Sequence, residues 1–464
     1  MDRDLQFDDI QGNILAGFNT DIQELVGLTV ATPSDFLLAA KWLAGQADSL
    51  TVVSEVRAQR ASMQSLRTTS IGTWLCIAVS HRLLAATQPD VLIRDDAFNG
   101  GMLKRGPSIL GDVTDPSKWR VGSSSSPLDV LLIIAANNEN AVFERANSLI
   151  ESASKSGLIT TYRETARRLD DREHFGFKDG ISQPRVRGFD PDGTLGAGHF
   201  VFGYPRAIGE DPFWPVIDDR RVTDNGSLLV FRRLKQDVRL FRKSLNDEAT
   251  RISPFWPGIT AGQLAGLIVG RWPSGTPIKR GQTEDPGIIS SNNDFDFAED
   301  AEGSSCPFGA HIRKVNPRNG KKDIVEIPRI LRRGIPFGPL FDIAPAEENR
   351  GLAFLAFQTS LKSQFEFLTR NWMNSEINPG PGNDLLVGRS ASTPSMKVVG
   401  PNGLIDISAP SVEWVIPTGG AYLFAPSRSG LAKFADPPAP LGLWKARRAL
   451  AQISDSLKSM LFER

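Results

Sequence analysis

The alternation of apolar and polar positions divides the chain into a regular first part and a looser second part. Residues 28–31 are short and β-favouring, and Ser34 offers an N-cap to Phe36–Gly45, whose apolar residues recur at helical spacing. Residues 51–56 and 71–79 are expected strands, the second followed by a helix over 80–86. Residues 130–136 form a continuous apolar run long enough only for a strand. A helix follows over 138–153, with Val142, Ala146, Leu149 and Ile150 on one face. The sum is β-α-β-β-α-β followed by a helix, the pattern of a ferredoxin-like unit in which helices cover one side of an antiparallel sheet.

The second part repeats the theme less cleanly. Residues 228–231, 327–331 and 352–357 are strand candidates, and 236–245 is an expected helix. Another helix is expected over 261–269, weakened by Gly262 and Gly266. Residues 360–373 predict a helix with Leu361, Phe365, Leu368 and Trp372 along one face. Residues 412–416 and 421–424 read as a closing strand pair around Gly419-Gly420. The Pro-, Gly- and Asp-rich stretch 189–224 marks a boundary, giving domains at 1–205 and 225–464. The fold class predicted is α+β: two ferredoxin-like domains, each an antiparallel sheet with helices packed on it. Residues 283–309 form an acidic, polar loop that delivers His311, and 443–462 an amphipathic helix docked on its own domain.

Composition narrows the class. Lys+Arg and Asp+Glu both number 53, so the formal net charge is zero, which argues against a nucleic-acid partner. The N-terminus is acidic rather than an apolar leader, and no apolar run approaches the ~20 residues that span a bilayer. The expectation is a protein without a membrane partner, cytoplasmic as written or the mature form of a secreted one. The two cysteines, Cys76 and Cys306, allow one disulfide or two free thiols, and no Cys-x-x-Cys-His run exists for covalent haem attachment.

The candidate chemistry rests on three side-chain types. Of four histidines, His311 sits in CPFGAHIRKVNPR (306–318), while His81, His174 and His199 compete with it. An imidazole is a common axial ligand of haem iron. Such a ligand donates its other N–H to a carboxylate, for which Asp384 is the candidate, with a simple turn residue as the other reading. Asp179, in a Gly-x-x-Asp-Gly turn, could take a proton from a peroxide and return it, or it could be a plain turn aspartate. Glycines at 176 and 180 would let the backbone approach a flat ligand closely. Arg332 could stabilise charge on the leaving oxygen, though Arg329 and Arg333 flank it. Arg318 is preferred over Arg313 and Lys314 as a partner for cofactor carboxylates.

Four motifs in order resemble those of the dye-decolorizing (DyP-type) haem peroxidases: DIQGNIL (9–15), EHFGFKDGISQP (173–184), the His311 run, and RRGIPFG (332–338). The strand-like LAFLAFQTSL (352–361) resembles the family's distal-pocket strand. The resemblance covers nearly the whole chain. It implies haem b, bound non-covalently and one per chain, with His311 as axial ligand, Asp179 as distal acid–base and Arg332 as its partner. Leu355 and Phe357 would line the peroxide side. Hydrogen peroxide and small aromatic reductants, dyes and phenols, would be the substrates, and an oligomer is compatible with all of this. Trp372 occupies a region where some relatives carry an oxidisable tryptophan, with a core role as its other reading. Phe337 stands where some relatives have Tyr, and Gly334 where smaller bacterial members often place Asn. The alternative function is a protein that binds haem, or releases its iron, with little turnover.

Overall fold

The computed structural model describes residues 4–66, 72–207, 209–210, 215–218, 220–281, 283–287, 293–318, 328–389, 393–410 and 412–436. Its framework is one antiparallel ring of nine strands. The N-terminal half supplies β1 (Ile22–Val30), β2 (Trp74–Ser80), β3 (Val130–Ala136) and β4 (Leu158–Arg167). The C-terminal half supplies β5 (Ser227–Gln236), β6 (Leu331–Arg332), β7 (Ile335–Phe337), β8 (Gly351–Gln358) and β9 (Val415–Ala425). The spatial order is β5-β9-β2-β3-β1-β4-β7-β8-β6, and β5 also pairs with β8, which closes the ring. Taken alone, the first half has the 4-1-3-2 strand order of a ferredoxin-like sheet, and so does the second when β6 and β7, both paired with β8, count as one interrupted strand, so the expected fold is present twice.

The elements that build the first unit differ from those read in the sequence. Residues 51–56 are not a strand. Val52 makes only an isolated bridge to Gln11, and Val53 opens a helix, α2 (Val53–Leu66), after α1 (Phe36–Gly45). The Glu55 carboxylate accepts the Val52 N–H at 3.0 Å, an N-terminal cap that turns a β-favouring run into a helix start. The closing strand of the unit is instead β4, whose half-exposed face carries Thr160, Thr161, Arg163 and Arg167 and so lacks an apolar signature. In the second unit, residues 412–416 and 421–424 are not a pair but parts of β9. Gly419-Gly420 forms a bulge within it, where the Gly420 N–H donates to the Val121 carbonyl and a Cβ on Gly420 would lie 2.5 Å from the Phe231 oxygen. The strand expected over 327–331 reaches only Leu331–Arg332 within the described residues, and the helix expected over 443–462 lies outside them.

Helices clothe the outer surface of the ring. Buried Ala39 and Leu43 of α1, Leu83 of α3 (His81–Thr87) and Val142 and Ala146 of α4 (Glu139–Ser154) pack over the first sheet. Leu361 and Phe365 cover the second sheet from the wide-turn segments Leu361–Glu366 and Leu368–Met373. A separate core unites α5 (Val238–Ile252), α6 (Ala261–Val269) and the hairpin Ser395–Gly400/Gly403–Ser408. The ring's interior is filled by Cys76, Ile133, Phe231, Leu355, Phe357 and Leu423, drawn from both halves. Both cysteines are free and buried, and burial pushes each thiol up to about 12. Among the described residues no helix is long and apolar enough to cross a membrane.

Candidate active site

A cavity of about 620 Å³ lies outside the second sheet, between β8, the segment 361–373 and the short helix α7 (His311–Val315). That is within the usual ~300–1,000 Å³ of small-molecule and cofactor sites. Leu352 and Phe354 of β8, Leu368 and Met373 above it, and Ile312 and Val315 of α7 give it an apolar body. The long loop after residue 283 ends at Ala310, the N-cap of α7, so His311 is the first helical residue and faces the cavity. His81, His174 and His199 do not line it. His81 packs edge-on against Phe98, and His174 donates through Nε2 to the Phe337 carbonyl at 2.8 Å.

The His311 Nδ1–H donates to Asp384 Oδ2 at 2.8 Å. Asp384 is fully buried, and its Oδ1 accepts the backbone N–H groups of Leu386 and Val387 at 3.0 and 3.2 Å. Both readings of Asp384 are therefore met at once: it is a turn residue through one oxygen and the histidine's partner through the other. The bond fixes the tautomer and leaves Nε2 as the acceptor nitrogen. Among the described residues no three His, Cys, Asp or Glu side chains are placed to hold a bare metal ion, so a metal facing His311 must bring its other ligands with it.

Asp179 and Arg332, far apart in sequence, meet on the same cavity. Arg332 Nη1 donates to Asp179 Oδ1 at 3.0 Å, and the Gly180 N–H donates to the same oxygen at 2.6 Å. The Asp179 turn stands on Glu173, a buried carboxylate that accepts the N–H groups of Phe175 and Phe177 at 3.0 and 2.9 Å. Gly176 and Gly180 have φ of 97° and 78°, and a Cβ on either would meet no protein atom within 4 Å. Positive φ is what these glycines supply to the turn. The Asp179 side chain is 41 % accessible, yet it faces the cavity deep in the molecule. Burial alone would raise its pKa, but the Arg332 charge, the Gly180 and Arg332 hydrogen bonds and the more distant His311 together hold it below the usual carboxylate range.

Sequence reasoning passed over the residue that sets Arg332. Gln183 brackets it like a neighbouring strand: its Nε2 donates to the Arg332 carbonyl at 3.1 Å and its Oε1 accepts the Arg332 N–H at 3.2 Å. The signal was present in EHFGFKDGISQP, where Gln183 follows Asp179 by four positions. Arg333 points away, its guanidinium donating to the carbonyls of Asn13, Ile14 and Leu15.

Of the three cations considered for cofactor carboxylates, Arg318 alone lines the cavity. Arg313 is bonded to Asp300 and sandwiched between Phe297 and Phe308, and Lys314 is committed to three carbonyls. Seven arginines line the cavity: Arg185, Arg232 and Arg389 are paired with Asp192, Asp112 and Glu413, which leaves Arg271 and Arg329 beside Arg318 and Arg332. Burial, with mutual repulsion, draws Arg271 and Arg318 down to about 10. Among the described residues, Glu173 and Asp179 are the only carboxylates in the lining. Such an excess of buried positive charge calls for an anionic ligand. An apolar body with carboxylate substituents and a metal facing one imidazole fits this lining.

Leu355 and Phe357 do not line the cavity. Side chains alternate along a strand, and β8 directs Leu352 and Phe354 outward while Leu355 and Phe357 are buried inside the ring. Trp372 does not line it either. It is 9 % exposed and packs edge-on to Phe367 at 5.6 Å, beside the cavity-lining Met373.

Comparison with known proteins agrees with this architecture. A family described as "DyP dimeric alpha+beta barrel domain" matches residues 9–168, and one described as "Dyp-type peroxidase, C-terminal" matches 269–386. A dye-decolorizing peroxidase of Mycetinis scorodonius is 31% identical over 92% of this chain and 87% of its own. One from Exidia glandulosa is 31% identical over 92% and 86%. The crystal structure of a fungal DyP-type peroxidase from Auricularia auricula-judae covers 93% of this chain, with all of its own chain matched, at a TM-score of 0.77 and 27% identity.

Proposed function

The chain belongs to the dye-decolorizing (DyP-type) peroxidase family, and from that premise we propose how its own residues carry the reaction. It is a haem enzyme, a hydrogen-peroxide-dependent oxidoreductase that acts on dyes. In our reading the cofactor is haem b, one per chain, non-covalent, seated in the cavity between β8 and the helices. His311 Nε2 would hold its iron, and Arg318, aided by Arg271 and Arg329, would receive its carboxylates. Bound haem supplies the redox-active iron, from which aromatic reductants are oxidised one electron at a time.

The protein's part is acid–base and electrostatic. Asp179 Oδ1 is occupied by Gly180 and Arg332, so Oδ2 is the oxygen offered to peroxide. It would take a proton from one peroxide oxygen and return it to the other, which leaves as water with two electrons that bound haem would supply. Arg332 places positive charge where the departing oxygen turns negative. The lowered pKa keeps Asp179 a base in acid, where a histidine of ordinary pKa, ~6.5, would be protonated. Asp384 holds the imidazole in its ligating tautomer. Trp372 is the aromatic proposed to carry electrons from the outer surface. The division 1–205 and 225–464 makes each unit one ferredoxin-like repeat, the first carrying the Asp179 turn and the second His311 and Arg332.

The observation that carries this reading is the Asp179–Arg332 pair lining the same cavity as His311. A haem-handling protein with little turnover needs His311 but not the pair. The test is stopped-flow mixing of the Asp179→Asn holoenzyme with peroxide. Haem binding is expected to be normal and the reaction slower by about 10²-fold or more, the usual worth of a positioned acid–base group. An unchanged rate removes Asp179 from this role.

A further inference from the structure

We propose that Lys314 is a positioning residue of the His311 side: a built-in cation that ties down the loop leading to Asp384 and tempers that carboxylate's pull on the imidazole. Lys314 lies one helical turn after His311 and is fully buried. Its Nζ donates to the carbonyls of Ser375, Asn378 and Gly380, each at 2.8 Å. All three ammonium protons are thereby used, and a single loop provides every acceptor. That loop is drawn together further by the Gly382 N–H, which donates to the Glu376 carbonyl at 2.8 Å, and it runs directly into Asp384. Three main-chain oxygens converging on one point would suit a bound monovalent ion equally well; here a side chain supplies the charge.

Burying an ammonium is costly, and an apolar residue would fill a core site at less expense. The charge therefore needs a counterpart, and Asp384 is the buried anion that Lys314 feels. Arg389 also feels Asp384, but its guanidinium is already paired with Glu413 at 2.6 Å. Burial lowers the Lys314 ammonium to about 8 while the Asp384 charge works in the opposite direction. A carboxylate beside a cation attracts the imidazole Nδ1 proton less strongly. Removing the cation should make His311 more electron-donating and favour the oxidised form of the metal it holds.

This inference rests on His311 being the haem ligand, and the experiment separates the two. Midpoint potentials of the holoenzyme are measured for the wild type, Lys314→Met, Asp384→Asn and the double variant, with Lys314→Gln as a second neutral form that keeps N–H donors for the loop. Lys314→Met and Lys314→Gln are both expected to shift the potential to more negative values. In the Asp384→Asn background the Lys314→Met shift should vanish, because its route runs through the carboxylate. An unshifted potential in both neutral variants overturns the proposal, as does a shift of the same size without the Asp384 charge. A wrong ligand assignment shows itself differently: His311→Ala would then leave the Soret band and potential of the wild type.

Discussion

Arg332 reaches Asp179 because Gln183 grips its backbone at both the N–H and the carbonyl. Gln183→Leu removes both bonds while leaving Asp179 and Arg332 in the chain. The expected result is a fall in kcat/KM for peroxide of about 10–100-fold, the scale of a misplaced catalytic group, with KM for the dye unchanged. Equal kcat/KM values would deny Gln183 its role. Residue chemistry also sets acid sensitivity. Burial lowers His174 and His199 to about 4, with nearby arginines acting in the same direction. An unfolded histidine titrates near ~6.5, so the unfolded chain binds more protons between those values. Each histidine then contributes about 3 kcal/mol that is complete above pH ~6.5 and lost as pH falls toward ~4. Urea midpoints should drop across that window, and less so in His174→Gln and His199→Gln. At this scale the site was partly legible. His311, Asp179, Arg332, Arg318 and Asp384 stand in motifs whose residue types announce their chemistry, and the structure brings all five to one place. Gln183, although it shares a motif with Asp179, and Lys314, weighed only as a partner for cofactor carboxylates, went unread in these roles because both act through backbone carbonyls and N–H groups.

Strand parity decides which residues of β8 touch the cavity, and parity is where reading the run LAFLAFQ fails. Every position in it is apolar or amide, so nothing alternates to tell the inner face from the outer. Both faces are covered, one by the ring's interior and one by the cavity and the segment 361–373. Two truncations tell the faces apart. Leu355→Ala leaves a hole in the ring's interior and should cost about 2–5 kcal/mol of stability with the Soret band unmoved. Phe354→Ala opens the cavity wall and should shift the Soret band or weaken haem retention. The reverse pattern, a spectral change from Leu355→Ala alone, would refute the placement. The same physics explains the other misread elements. A capping glutamate converts a β-favouring run into α2, and β4 is hidden because its outward face is polar. Helices with one apolar face, such as α1 and α4, were legible nearly to the residue.

The ring as a whole makes the two halves interdependent. Each carries a ferredoxin-like strand order with helices packed on its outer face, but the apolar interior of the ring is drawn from both. The inner face of the first sheet, with Cys76, Leu131 and Ile133, shares one apolar cluster with Phe231, Leu355, Phe357 and Leu423 of the second, and with Ile10, Ile14 and Phe200 from outside both sheets. The seams that join the sheets are short: Leu423 and Phe424 opposite Ser80 and Val79 on one side, Ala166 opposite Phe337 on the other. So little strand pairing cannot hold the halves together, and the shared apolar interior must do so. Separating the halves would expose both inner faces together with open strand edges. Unfolding in guanidinium, followed in parallel by tryptophan fluorescence and far-ultraviolet circular dichroism, should therefore give one coincident transition. Two resolved transitions would mean that each half is stable alone and that the boundary over residues 189–224 divides independent domains rather than the repeats of one closed barrel.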